Sequence, residues 1–517
     1  MSILDKTGEQ PSITEGRRAL SLFVDRTELL GSFFQRLSSI GEPDTLVFLH
    51  GEPGNGKSLL VKYLKENCCK RIDRKDWQQF DPNVPESVTH IIEVMSQAPE
   101  AVGHAYLDFA SPASAYFNPL DPLSALLTIR KQLNDYCSIF PIFDFAWILY
   151  LKKAGRLTNE YIRQIFPSGP LRGLAAIMIN TVTVSTWATL VDKVLDAVQK
   201  HAGLWWTMHS AQSQISRATL AELLSLDAET ELIEQLPRLL AEDLSRARNI
   251  LPAVQQLDKT VLLFDNHDAF WAGQLYLSED LFHLRDAWLR NFIASLDLRH
   301  SVVIVTGQSP PKWSDATRAK IPSSYIDCWK VGDMAEIDAR SYLFSAGITE
   351  TGIQTKILDL ASVGSGEAHP LYLGMCADAF LVSAQCANEP SESETSDPLA
   401  QPLADKGKAV VRRFLRYVSP DLASAVYSLA ACRSFDQDVF HFLAEKLKFQ
   451  GTATAFKQIV ELSFVVNDST RSGAYKLHPL VRRLVADLDI NRSLEAHRLL
   501  SEYYAPKVAN GNQQDAI

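Results

Sequence analysis

The chain has 517 residues, of which 46% are hydrophobic and 22% charged, and its net charge is −10. This length exceeds a single hydrophobic core and predicts about three or four domains. The composition is typical of a globular protein, and the acidic net charge argues against sequence-independent binding to nucleic acid or to an anionic membrane.

The cysteines and the amino terminus indicate a cytoplasmic protein. Seven cysteines are present, and no pair has metal-ligand spacing, so we expect reduced thiols. No charged-then-apolar signal sequence precedes Arg17 and Arg18. The most apolar segment, residues 173–191, is interrupted by polar side chains and favours a buried helix over a membrane span.

An apolar strand at residues 45–50 runs directly into a complete P-loop, G-x-x-x-x-G-K-S, formed by Gly51, Glu52, Pro53, Gly54, Asn55, Gly56, Lys57 and Ser58. The glycines let backbone N–H groups turn toward the β-phosphate, Lys57 reaches the β and γ oxygens, and the Ser58 hydroxyl completes the Mg²⁺ shell. Leu59 lies in the helix that follows, whose amino terminus favours phosphate. The sequence therefore predicts that ATP or ADP binds with Mg²⁺.

Four more continuous apolar runs predict strands at residues 104–109, 260–264, 301–305 and 325–331. They alternate with helical patterns, which predicts an α/β P-loop NTPase domain at 21–335, with a parallel sheet and helices on both faces. Residues 110–258 form a largely helical insertion, interpreted as a lid or a partner surface.

The remaining chain predicts a helical lid domain at 336–387, a linker at 388–407 and a winged-helix domain at 408–490. The helices of the winged-helix domain are predicted at 409–418, 423–431, 439–447 and 453–462, and a hairpin of strands 463–466 and 474–477 follows them. A tail at 1–20 and a carboxyl-terminal helix and tail at 491–517, with the helix at 494–504, complete the chain.

Asp265 ends an apolar strand, which is the Walker B pattern, and its carboxylate is predicted to hold the Mg²⁺ shell beside Ser58. Hydrolysis also needs a group that orients the attacking water. Asn266 can position water but cannot take its proton, and Asp268 is the nearest spare carboxylate. We therefore expect a slow ATPase, with Lys57 as a further catalytic residue.

The segment from Phe23 to Leu30, set before this P-loop, resembles the Phe-Val-Gly-Arg-x-x-Glu-Leu box of the STAND NTPases, AAA+ relatives that include NB-ARC and NACHT receptors. Asp25 stands where that family usually has glycine. The resemblance implies that the backbone of Phe23 and Val24 and the side chain of Arg26 lie against the adenine.

Three later segments extend this resemblance. Residues 303–308 look like the sensor-1 strand, but Gln308 replaces its usual arginine and leaves Thr306 as the γ-phosphate sensor. Residues 366–371 are similar to the Gly-x-Pro element, which implies that Pro370 packs on the nucleotide. Residues 475–483 resemble the closing Leu-His-x-Leu-x-Arg segment, which implies that His478 touches the β-phosphate of ADP.

Two histidines keep alternative interpretations. His478 is either this phosphate contact or a structural histidine. His369 is either a solvated histidine at a helix start or part of the site. Residues 140–146 also look like a segment of bacterial STAND proteins that carry tetratricopeptide repeats, which suggests a bacterial source, although no 34-residue repeat follows.

The resemblance implies a nucleotide-dependent switch in signalling or defence. ADP would lock the P-loop domain against the winged helix, and ATP would open it for homo-oligomerisation, with the linker at 388–398 as the hinge. We expect the effector and the sensor to be separate proteins or to lie beyond the ends of this sequence.

Two alternatives remain open. A DNA-binding AAA+-like initiator or regulator would use its winged helix and the basic residues Arg412, Arg413, Arg416, Arg482 and Arg483, but the acidic net charge argues against nucleic acid as a partner. A nucleotide-binding scaffold without turnover would also be compatible with Asn266 and Gln308.

Overall fold

The computed structural model describes residues 20–23, 26–38, 45–111, 113, 117–137, 140–158, 160, 222–247, 258–271, 283–362, 367–385, 408, 411–412, 415, 420–460, 462, 464–468, 471 and 473–509. Val24, the predicted linker 388–407, residues 161–221 of the insertion, most of the predicted helix 409–418 and the tail 510–517 lie outside them. The chain divides into a sheet unit, Thr27–His50 with Leu64–Lys330, and a loop unit, Met1–Arg26 with Gly51–Tyr63 and Val331–Ile517.

The sheet unit is built on five parallel strands, in the order β2-β3-β4-β1-β5. Their bounds are β1 Leu46–His50, β2 His104–Asp108, β3 Thr260–Asp265, β4 Ser301–Gly307 and β5 Ile326–Lys330. All five coincide with the predicted apolar runs to within two residues. The predicted α/β class with a parallel sheet is therefore confirmed, and β4 separates the strand before the P-loop from the strand that ends at Asp265.

Helices cover this sheet and form the described part of the insertion. They are α1 Thr27–Ser38, α3 Arg74–Trp77, α4 Pro85–Gln97, α5 Pro122–Gln132, α6 Pro141–Lys153, α7 Ile233–Ala247 and α8 Ala287–Ala294. Helix α2, Lys57–Tyr63, belongs to the loop unit. Helix α6 is apolar on nearly every face and is buried in the same hydrophobic core as the sheet residues Phe48 and Phe264. The predicted helical character of the insertion holds for these residues.

Asp243 of α7 fixes the start of α6. The backbone N–H groups of Ile142 and Phe143 donate to Asp243 Oδ2 at 2.9 and 2.8 Å. These first-turn N–H groups have no partner within their own helix, so a carboxylate from a distant residue satisfies them. The carboxylate is 1% exposed, and burial raises its pKa to about 7.

The loop unit joins the P-loop segment to the carboxyl-terminal third of the chain. Its elements are α2 Lys57–Tyr63, β6 Met334–Ala335, α9 Glu336–Ser345, α10 Thr351–Ala361, β7 Glu367–Ala368, α11 Pro370–Gln385, α12 Pro420–Leu429, α13 Gln437–Leu447, α14 Ala453–Val460, β8 Val465–Asn467, β9 Tyr475–Leu477, α15 Pro479–Leu488 and α16 Ile490–Ala509. Strands β8 and β9 pair antiparallel after α14, as expected for a winged helix. Helices α9 to α16 share one hydrophobic core, which includes Leu373, Val426 and Val481.

No helix among the described residues is both long and apolar enough to cross a membrane. The domain boundaries given above remain predictions.

Candidate nucleotide-binding site

The P-loop curls around the ammonium group of its own lysine. Lys57 Nζ donates to the carbonyl oxygens of Gly51 and Glu52 at 2.7 and 2.8 Å. Gly54 and Gly56 have φ angles of +93° and +82°, a left-handed backbone that glycine adopts without a steric penalty. Helix α2 begins at Lys57, and the Leu60 N–H donates to the Gly56 carbonyl at 2.8 Å.

Arg26 and Asn55 tie this loop to the segment at Val331 and Gly332. Arg26 Nη2 donates to the Gly332 carbonyl at 2.7 Å and to the Asn55 carbonyl at 3.3 Å. Asn55 Nδ2 donates to the Val331 carbonyl at 3.1 Å, and Asn55 is 4% exposed. A Cβ at Gly51 would lie 2.3 Å from the same Val331 oxygen. The path of the loop therefore depends on close backbone contact, which only glycine permits at this position.

The other residues in the range 23–59 with predicted nucleotide roles also belong to the loop unit. Phe23 stacks on Tyr63, the last residue of α2, with ring centroids 4.1 Å apart. Ser58 and Leu59 occupy the first turn of α2 and are partly buried, as is Pro53. Val24 lies outside the described residues. The adenine role of Phe23, Val24 and Arg26 remains a prediction.

His369 is buried against the P-loop, although one interpretation of the sequence placed it in solvent. It is 1% exposed, its ring hydrogen-bonds the backbone of Pro53, and a Cβ at Gly54 would lie 2.7 Å from its Cε1. The solvated interpretation is therefore wrong. Pro370 begins α11 directly after this histidine. No sequence signal separates the two interpretations, because the packing partner is more than 300 residues away.

His478 also belongs to the loop unit, immediately after β9. It is partly buried, and its backbone N–H donates to the Phe464 carbonyl at 2.7 Å. The pKa of His478 is lowered to about 4, chiefly by burial and also by the charges of Lys476 and Lys62. Lys62 lies on α2, and His478 also acts electrostatically on His369. Lysines of the P-loop segment therefore act electrostatically on both histidines: Lys57 on His369 and Lys62 on His478.

In the sheet unit, three predicted catalytic residues meet at the carboxyl ends of the strands. The Thr306 hydroxyl donates to Asp265 Oδ1, and Thr306 Oγ1 accepts a hydrogen bond from the Asn266 N–H at 3.0 Å. The Tyr106 hydroxyl donates to Asp265 Oδ2 at 3.2 Å. Asp265 is 1% exposed, so these contacts hold its carboxylate in a single orientation.

Asp108 is a member of this cluster that the sequence analysis missed. It ends β2 and pairs in register with Asp265. Asn266 has a φ of +58°, and its Nδ2 donates to Asp108 Oδ1 at 2.8 Å, so its amide is directed at a carboxylate. The position of Asp108 near the end of a predicted strand was a usable signal, because the carboxyl ends of parallel strands share one edge of the sheet.

Asp268 is placed with Gln308. Gln308 Nε2 donates to Asp268 Oδ2 at 2.9 Å, and Asp268 lies in a short 3₁₀ helix, His267–Trp271. The hydrogen bonds given above connect Asp265, Asn266 and Thr306 with one another, whereas Asp268 pairs with Gln308. The catalytic and Mg²⁺ roles of Lys57, Ser58, Asp265, Asn266, Asp268 and Thr306 stay predictions.

A buried polar network supports the segment after Asp265. Asp286 accepts hydrogen bonds from His267 Nε2, Arg290 Nε and Trp313 Nε1 at 3.0, 3.0 and 2.7 Å. Burial acts to raise the pKa of Asp286, but the hydrogen bond from His267 and the charges of His267 and Arg290 lower it overall. Helix α8 is thereby linked to the residues that follow β3.

Comparisons with known proteins add little to this geometry. No protein-family model matches the chain. No curated protein matches it either. Among solved structures, the chain is similar to the crystal structure of Cdc6p from Pyrobaculum aerophilum, with 10% sequence identity, coverage of 94% of this chain and 97% of that chain, and a TM-score of 0.28. At that score the fold assignment rests on the strands and helices described above.

Proposed function

We propose that this chain is an ATP- and ADP-binding switch of the STAND type, with slow Mg²⁺-dependent hydrolysis and nucleotide-controlled oligomerisation. The observation that carries the proposal is the neighbourhood of Lys57 in the loop unit. His369, directly before α11, lies against Gly54 of the same loop, and His478, directly after β9, belongs to the same unit. A phosphate bound at the P-loop would therefore act on both later segments.

The switch follows from differential binding. A nucleotide shifts a conformational equilibrium only when it contacts the two states differently. His369 and His478 belong to segments far from the P-loop in sequence, so a rearrangement of either segment changes the charges that a phosphate meets. ADP and ATP differ in charge and length, and each would favour a different arrangement.

Hydrolysis is proposed to be slow for a chemical reason. The residue after the Walker B aspartate is Asn266, whose amide cannot accept a proton from water and is already directed at Asp108. Mg²⁺ would be held by Ser58 and Asp265, as the two sequence motifs imply. Thr306 would then act on the reaction through Asp265.

The mass of the protein in solution tests this proposal. Light scattering should give a small species with ADP and a larger assembly with ATP·Mg²⁺, and Lys57→Ala should abolish the difference. An unchanged mass in both nucleotides would overturn the switch. Salt-dependent retention on DNA, measured in parallel, would instead favour the DNA-binding alternative.

A further inference from the structure

His369 contacts the phosphate-binding loop at Gly54. The ring lies against Gly54, where the φ of +93° and the 2.7 Å spacing from Cε1 to a Cβ exclude any side chain. The same ring hydrogen-bonds the backbone of Pro53. Its own backbone N–H donates to the Ala361 carbonyl at 3.0 Å, at the end of α10. His369 thus connects α10 and α11 to the loop.

The hydrogen bond to Pro53 identifies the tautomer. Proline has no N–H, so its backbone can only accept, and the imidazole must donate to the Pro53 carbonyl. Nδ1 is buried and has no hydrogen-bond partner among the described residues, so the donor is Nε2. His369 therefore presents an unprotonated, buried Nδ1 beside the loop.

Burial, more than the nearby charges, keeps His369 neutral in this arrangement. Its pKa is lowered to about 4, chiefly by burial, with smaller lowering contributions from His478 and Lys57 and an opposing contribution from the hydrogen bond to Pro53. Tyr372 lies under the ring, with centroids 4.3 Å apart. The charged groups that act electrostatically on Tyr372 are the carboxylates of Glu52 and Asp333 and the guanidinium of Arg483. Nucleotide phosphates beside Lys57 would reverse this balance, because nearby anions favour the imidazolium form.

We propose that His369 is a positioning residue of the phosphate-binding loop: its imidazole holds Pro53 and Gly54 in place and takes up a proton at Nδ1 when nucleotide phosphates bind beside Lys57. The inference rests on the proposed nucleotide-binding function. The proton comes from solvent, and no covalent bond forms or breaks other than N–H. Nucleotide binding and proton binding then strengthen each other, as linkage requires.

Calorimetry of ADP binding measures this proton directly. Binding heats at pH 6 to 7.5, recorded in two buffers of different ionisation enthalpy such as PIPES and imidazole, give the number of protons taken up. His369→Gln removes the titrating group and keeps a donor for Pro53, and His369→Asn is the second variant. His497→Gln, an exposed histidine of α16 in the same unit, is the matched control. His478→Gln separates the contribution of the second histidine of this neighbourhood.

Wild type and His497→Gln should take up more protons than either His369 variant, and their affinity for ADP should rise by up to about tenfold per pH unit on acidification. The phosphate of ADP titrates in the same range but contributes equally to every protein, so the difference between proteins isolates His369. Equal proton uptake and equal pH slopes in wild type and His369→Gln would overturn the inference while leaving nucleotide binding established. No ADP binding in any protein would instead overturn the proposed function.

Discussion

The Thr306 hydroxyl donates a hydrogen bond to Asp265 Oδ1 and accepts one from the Asn266 N–H, so one side chain of β4 orients the carboxylate that ends β3. Thr306→Val keeps the shape of the side chain and removes both bonds. We expect hydrolysis to fall by about 10- to 100-fold, the usual effect of removing a group that orients a metal-binding residue. ADP affinity should change far less.

Steady-state phosphate release and ADP titration check this prediction. Thr306→Ser retains the hydroxyl and should remain close to wild type. Unchanged hydrolysis in Thr306→Val would mean that the orientation of Asp265 does not limit the reaction.

Arg26 is expected to stabilise the loop unit by bridging the Asn55 and Gly332 carbonyls. Its hydrogen bonds involve a charged donor and are partly exposed, so Arg26→Gln should cost about 1–2 kcal/mol of unfolding free energy. Thermal melts with and without ADP measure the effect. Arg74→Gln, at an exposed position of α3, is the control. An equal loss of unfolding free energy in Arg26→Gln and Arg74→Gln would show that the hydrogen bonds of Arg26 contribute nothing specific to stability.

Asp243 should make the stability of the sheet unit depend on pH. Burial raises its folded-state pKa from 3.8 to about 7, so the folded chain holds this proton more tightly than the unfolded chain. Its contribution is therefore fully present below about pH 4 and is lost as pH rises toward about 7. Asp243→Asn can still accept from Ile142 and Phe143 through its side-chain carbonyl, and it carries no charge.

Denaturant unfolding across pH 5 to 8 tests this account of Asp243. The stability of Asp243→Asn should fall less with rising pH than that of wild type. Asp227→Asn, an exposed helix-capping aspartate, should retain the wild-type slope. Identical slopes in wild type and Asp243→Asn would show that this carboxylate does not titrate in that range.

Local patterns sufficed to predict the sheet, but not the contacts that shape the candidate site. Continuous apolar runs marked all five strands because a strand buried on both faces needs no polar alternation. The P-loop glycines and Lys57 were recognisable because their spacing is itself the chemistry. In contrast, the burial of His369 depends on Gly54, and the cap on α6 depends on Asp243, about 100 residues away. Neither partner can be identified before the chain is folded.

The Asn266 side chain illustrates the same limit within one motif. Its position after Asp265 predicted a weak water-orienting group, which is a statement about its chemistry. Its actual partner, Asp108, comes from a different strand through the register of β2 and β3. The order of residues along the chain identifies each strand end but not the pairs that adjacent ends form.

The central claim is that Lys57 and its loop hold an adenine nucleotide, and the most direct test is the nucleotide carried by the freshly purified protein. Denaturation followed by chromatography of the released base should recover ADP or ATP from wild type and from His497→Gln. The same procedure should recover almost none from Lys57→Ala, because a charge-assisted phosphate contact is worth about 1.5–3 kcal/mol and the loop also closes on this ammonium. Wild-type protein that releases no nucleotide, and binds none when ATP·Mg²⁺ is added, would contradict the account.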